Sequence, residues 1–432
     1  MQKHLNKNNG HLINYVLIAA YLTVLLFLIR FAVVDKNVAY VFVGLLPITV
    51  FICVRHFNIR FKQIFFSANR HIIGFYACYY LIYFYNFGDF VNCVFLLSII
   101  FFQIVISSLV VNKVNLMELK YLIGSLFLVT LFAVFLPTYS IVQSLKLGSF
   151  YNFSDKSLIT TTTLDAPLIA SLLFILAVYD MVFNKKRSFL NIVSLVFSCF
   201  VLLLFSRRGF IFSAGIAIGF CYLYKKLNKS WIIYTLLLFL FLPMFWNTIA
   251  SVLLSFSDSK VFSSIIARND SESISDATGR LTTWTNVLDI FFKFSSKHML
   301  GIHGKIPDDL FIQIEGEKNT YSHAHNTFLN LFLEGGYVID ALFILLLITC
   351  FRTYNKARKL YKGEDNFYFI ILIFLLNLAA TESLIRNNVQ LTNFIFCFTL
   401  VSFNLKNVIL LENYKEFMRR LKSDKLAISV SK

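Results

Sequence analysis

Charge is scarce in this chain: Asp, Glu, Lys and Arg make up 15% of its 432 residues, whereas 58% are hydrophobic and the mean hydropathy is +0.70. Soluble domains carry roughly 25% charged residues, so nuclease, soluble-kinase and Rossmann-enzyme readings are excluded. CxxC pairs are missing. The seven cysteines (Cys53, Cys78, Cys93, Cys199, Cys221, Cys350, Cys397) fall in or beside apolar segments, and the one long polar stretch holds none. Neither a disulfide framework nor a cysteine metal site is therefore expected. There is no lipidation signal, no short-period repeat and no low-complexity tract beyond a bias to Phe and Leu. The basic start MQKHLNKNNG leads into an apolar run without a small-residue cleavage site, which is expected to stay as a first span.

What the chain has is apolar runs along nearly its whole length. Crossing the hydrocarbon core takes about 20 apolar residues, and hydropathy predicts about twelve spans. They are Leu12 to Ile29, Val38 to Val54, Ile72 to Tyr85, Phe90 to Val111, Tyr121 to Leu136, Pro167 to Phe183, Phe189 to Phe205, Phe210 to Tyr224, Trp231 to Trp246, Tyr337 to Cys350, Phe367 to Leu378 and Val389 to Phe403. The expected fold class is an all-α polytopic membrane protein with one large periplasmic loop containing short helices.

The formal charge of +17 would suggest nucleic acid in a soluble protein, but here Lys and Arg collect in short segments between spans. Arg55, Arg60, Lys62 and Arg70 share one side with Lys113 and Lys120, Lys185 to Arg187, Lys225, Lys226 and Lys229, and Arg352, Lys356, Arg358, Lys359 and Lys362. With the two ends they hold most of the 40 basic residues, so this side and both termini are placed in the cytoplasm. No nucleic-acid partner is expected. The tail LLENYKEFMRRLKSDK repeats apolar residues at a helical period and is expected to lie on the anionic inner leaflet. The division is an N-terminal bundle (1–246), an outer loop (247–336), C-terminal spans (337–404) and the basic tail (405–432). A second outer loop is Pro137 to Ala166, and function is sought outside.

Three stretches carry chemistry. Ser206-Arg207-Arg208-Gly209 puts two guanidiniums on the outer side, where positive charge is least expected. Helix-end arginines that snorkel are the bland explanation; an anion site is favoured, because Arg matches phosphate oxygens bidentately. Asp276-Ala277-Thr278-Gly279-Arg280-Leu281-Thr282-Thr283-Trp284 opens an amphipathic run expected along the membrane surface, with Arg280 a second cation or a structural anchor and Trp284 at interfacial depth. Tyr321-Ser322-His323-Ala324-His325-Asn326-Thr327 leads through FLNLFLEGG into a span, with two of only eight histidines at its edge. A neutral imidazole accepts a hydroxyl proton near neutral pH, and Glu334 stands two to three turns further on. A structural histidine pair and a metal site compete, although His-x-His without cysteine is thin for zinc. Gly301-Ile302-His303-Gly304 with Asp308 and Asp309 is a lesser candidate, as is an ion pair between Glu382 and Arg386. Intramembrane charges elsewhere are few, which argues against an ion-coupled transporter.

Taken in order, SRRG, TGRLTTW, GIHG and SHAHNTFLNLFLEGG resemble the O-antigen polymerase and O-antigen ligase superfamily, from Phe205 onward. The resemblance implies a metal-independent glycosyltransferase of the inner membrane, with no cofactor, acting at the periplasmic face on a glycan carried by undecaprenyl diphosphate. By position, His325 matches the family's essential histidine, and Arg207 or Arg208 with Arg280 match its diphosphate-holding arginines. His323, Asn326, Glu334 and Arg386 are supporting candidates. The expected function is polymerisation of lipid-linked surface repeat units, with ligation of the finished chain to lipid A-core as the alternative and a polysaccharide flippase as the competitor from another class. Partners are the lipid-linked glycan, membrane lipids and a chain-length regulator.

Overall fold

A computed structural model of the protein describes residues 69–113, 119–120, 123–124, 165–205, 208–227, 245, 280–304, 306, 310, 323–360, 367–385 and 391–430. Among these residues every regular element is helical. The expected spans at Leu12 to Ile29 and Val38 to Val54 lie outside them, as do nearly all of Tyr121 to Leu136 and Trp231 to Trp246.

Helix α1 (Arg70–Phe87) buries a tyrosine face, Tyr76, Tyr79, Tyr80 and Tyr83. It stops at Gly88, whose left-handed φ of +70° lets its N–H reach the Phe84 carbonyl, a conformation that glycine adopts without a Cβ penalty. Asp89 then accepts from the Asn92 N–H at 3.1 Å and opens α2 (Phe90–Lys113). α3 (Asp165–Val178) ends in a π turn over Tyr179–Phe183, and α4 (Phe189–Phe205) returns beside it. α5 is Arg208–Leu227 and α6 is Arg280–Phe292. α7 (Thr327–Leu360) is broken at Gly336, α8 is Tyr368–Ala379 and α9 is Leu391–Val430. Two stretches, Thr327–Leu360 and Thr392–Arg419, are long and apolar enough to cross a membrane, and Pro167–Phe183, Phe189–Leu202, Gly209–Tyr224 and Tyr368–Ala379 are shorter apolar helices.

The core is built around α8, whose twelve residues are all buried. It packs between α5 and α9, while α9 also lies along α2 and α7, and α7 along α1 and α6. At about 1.5 Å per residue α8 spans only about 18 Å, short of the roughly 30 Å hydrocarbon core. It runs out into an irregular turn, Ala380–Ile385, whose residues from Glu382 to Ile385 are buried. Buried irregular backbone is tolerated only where other groups satisfy its N–H and C=O, and the residues that do so here make the site below.

The bundle has two chemically distinct ends. α5 starts against Thr381 and ends where Tyr224 donates to Asn355 at 2.9 Å, with Arg358 over the Tyr224 ring. α7 runs the same way, from Thr327 beside Glu382 to the basic segment around Arg352–Lys359. At the basic end, Lys120 is buried on the Asp180 carboxylate and donates to Asn191 at 2.7 Å. Asn184 binds the other oxygen of Asp180.

The tail from 405 belongs to α9, which continues to Val430. Trp284 is 1% exposed and donates to the Ala324 carbonyl at 2.8 Å. It is a core anchor, because α6 lays Thr283, Trp284 and Val287 into the protein.

Candidate functional site

The local backbone before α7 explains the position of its histidines. Asn326 is the cap of the helix: its Oδ1 accepts from the Leu329 N–H at 2.9 Å, the geometry that makes Asn a strong N-cap. His325, one residue earlier, has φ +48°, uncommon for a side chain with a Cβ. Its N–H donates to His323 Nδ1 at 3.2 Å, and the two imidazoles lie 3.8 Å apart. Ser383 Oγ is 3.3 Å from the same Nδ1.

The turn after α8 binds these residues to α6. Asn326 Nδ2 donates to the Ala380 carbonyl at 3.0 Å, and Arg280 Nη1 to the Thr381 carbonyl at 2.6 Å. Thr327 Oγ1 donates to the Glu382 carbonyl at 2.8 Å while accepting from the Leu384 N–H at 2.9 Å. The Glu382 carboxylate faces both Arg280 and His325. Oε1 lies 3.0 Å from Arg280 Nη2, and Oε2 lies 3.5 Å from His325 Nδ1. All three side chains are largely enclosed, with 8% of Glu382, 19% of Arg280 and 13% of His325 exposed. Charges this sheltered interact more strongly than at an open surface.

α5 enters the same corner by its backbone. A Cβ on Gly209 would lie 3.1 Å from Thr381 Oγ1, so the first turn of α5, which begins at Arg208, is pressed against the turn that holds Arg280 and His325. Arg207 and Arg386 lie outside the described residues, as do Asp308 and Asp309.

Glu334 is elsewhere. It sits near the end of the first segment of α7, 5% exposed, where it accepts from the Tyr79 hydroxyl. The Glu334 carbonyl accepts from Asn86 at 3.0 Å. Around it the Gly301–Gly304 loop is woven into the break at Gly336: Ile302 N–H donates to the Leu333 carbonyl at 2.9 Å, Val338 N–H to Met299 at 3.2 Å, and Gly304 N–H to Asn86 at 3.0 Å. In this structure GIHG and Glu334 fasten α1, α7 and the segment after α6 together. The carboxylate that meets His325 is instead Glu382, which the sequence had paired with Arg386. No local pattern signals the contact, since the two residues stand 57 positions apart. Among the described residues no group of three His, Cys, Asp or Glu side chains is arranged to hold an ion.

The arrangement offers a cation, a proton acceptor and a shared carboxylate around one turn at one end of a hydrophobic bundle. Residues 192–344 match the O-antigen ligase family model. That stretch contains Arg208, Arg280, His323 and His325, and the match supports placing it in the O-antigen ligase and polymerase superfamily. Glu382 falls beyond it. No curated protein matches the chain. The family is one of membrane proteins, and it suggests glycan transfer of the ligase or polymerase type.

Proposed function

We propose that the protein is a glycosyltransferase of the periplasmic membrane face that polymerises lipid-linked surface repeat units. The donor is a glycan on undecaprenyl diphosphate and the acceptor a hydroxyl of a second lipid-linked repeat unit. His325 Nε2 takes the proton of that hydroxyl as its oxygen attacks the anomeric carbon. The bond from that carbon to the diphosphate breaks, and the lipid diphosphate leaves with the electron pair. Arg280, with Arg207 or Arg208, holds the diphosphate and offsets the charge that builds on it. The proton on His325 passes to solvent after product release.

The observation that carries the reading is the convergence of Arg280, on α6, and His325, at the start of α7, on one buried carboxylate. A flippase would need no such pairing of anion ligand and base at one end of the bundle. The family description favours a second reading, ligation of the finished chain to lipid A-core, which uses the same donor and leaving group.

Surface-glycan electrophoresis in a strain lacking the gene separates these. Core bearing a single repeat unit, restored to a ladder by wild type and not by His325→Ala, is the expected result. Core without any repeat, with long chains accumulating on the lipid carrier, would make the protein a ligase. An unaltered ladder in the deletion strain would remove both readings.

A further inference from the structure

Glu382 holds its two partners unequally. The contact to Arg280 Nη2 is an ordinary ion-pair hydrogen bond at 3.0 Å, whereas the 3.5 Å to His325 Nδ1 is at the outer limit of one. Arg280 is incompletely used: Nη1 and Nη2 are engaged, but its buried Nε meets no acceptor among the described residues. A diphosphate arriving at this guanidinium brings several charged acceptors and competes with Glu382 for the same fork of donors. A carboxylate displaced from Nη2 then has His325 as its adjacent donor. A carboxylate on Nδ1–H leaves Nε2 as the proton acceptor and stabilises the imidazolium that forms.

We propose that Glu382 is a positioning residue that couples donor binding to base activation: diphosphate at Arg280 releases the carboxylate to His325 Nδ1–H, so that the base is fully oriented only when the donor is in place. This rests on the donor and base assigned under the proposed function. The backbone of the turn needs no rearrangement, because its carbonyl anchors to Asn326 Nδ2, Thr327 Oγ1 and Arg280 Nη1 do not use the carboxylate. The charged and titratable groups that the described residues bring to this corner are Glu382 from the turn after α8, Arg280 from α6, and His323 beside His325 on its own loop.

The coupling predicts effects of opposite sign from one substitution. In purified full-length Glu382→Gln in lipid nanodiscs, inorganic diphosphate should bind several-fold more tightly, because Arg280 loses its competing carboxylate. Turnover of lipid-linked glycan extracted from the source cells should fall by about a hundredfold or more, the scale of a poorly assisted general base. Tighter binding with slower turnover supports the proposal. Weaker or unchanged binding with lost turnover would reduce Glu382 to a structural support and overturn it, as would wild-type turnover. Glu382→Asp, which keeps the charge but is too short to serve both partners, gives a second test if the first variant folds poorly: it should show the same opposed pair at smaller size, and parallel losses would overturn the coupling. Arg280→Gln and His325→Ala are measured alongside. If both turn over normally, the functional reading itself fails; if both are inactive and no opposed pair appears, only the coupling fails.

Discussion

At the scale of single residues, Asn326 has two structural tasks. Its Oδ1 caps α7 and its Nδ2 satisfies the Ala380 carbonyl in a buried turn. Losing a cap costs about 1 kcal/mol, and stranding a buried carbonyl adds about 1–3 kcal/mol. Asn326→Ala is therefore expected to destabilise the protein by about 2–4 kcal/mol, read as a lower midpoint of thermal unfolding in detergent. Unchanged stability would mean that the turn finds another donor. Asn326 beside His325 is legible as a motif, but not its geometry: the left-handed φ of His325 and its bond to His323 are local details of the backbone, and the Glu382 contact joins residues 57 positions apart. Glu334 shows the converse. Its place on α7 follows from helical spacing, but its partner is a tyrosine of α1, 255 positions away, and spacing along one helix says nothing about which neighbour a side chain meets.

At the scale of elements, the break in α7 is the sharpest feature. Gly336 has φ +70°, and a Cβ there would run into the Gly301 nitrogen and the His298 and Met299 carbonyls, all backbone atoms. Gly304 has a similar φ of +82° but open space around its Cβ position. Backbone strain alone costs about 1–2 kcal/mol for a residue with a Cβ, so Gly304→Ala is expected to lose about that much. Gly336→Ala must also push two segments apart and is expected to lose more, to the point of poor folding, with protease resistance in membranes as the measurement. Equal losses for the two would show that φ, not crowding, sets the requirement. The apolar runs predicted α4 over its full length and α1, α2, α5 and α8 to within a few residues, because α8 is buried on every side while α4 keeps apolar side chains such as Phe189, Val196 and Phe200 on its exposed face as well. The π turn ending α3 and the unbroken extension of α9 were not legible, since both depend on tertiary contacts or their absence rather than on local pattern.

At the scale of the molecule, the arrangement of charge follows from the alternation of helices. Because α5 and α7 both run from the Thr381–Glu382 turn to the basic end, Arg280, His325 and Glu382 gather at one end, while the Lys120–Asp180–Asn191 cluster belongs with the basic segments at the other. Lys and Arg excess marks the cytoplasmic side; on that rule the proposed transfer site would face the periplasm, as the proposed donor, with its head at the outer membrane surface, requires. Cysteine labelling tests this without any assumption about the sugar. His303 and Lys186 are both exposed, the first in the loop packed on the Gly336 break and the second beside Asp180. In a background lacking the native cysteines, His303→Cys should react with a membrane-impermeant maleimide added to spheroplasts, whereas Lys186→Cys should react only after the membrane is opened. The reverse pattern would put the site in the cytoplasm, where a nucleotide-linked donor is available and a lipid diphosphate is not required, and the proposed leaving group would have to be abandoned. Labelling of both from outside would mean that the two ends are not on opposite sides of the membrane.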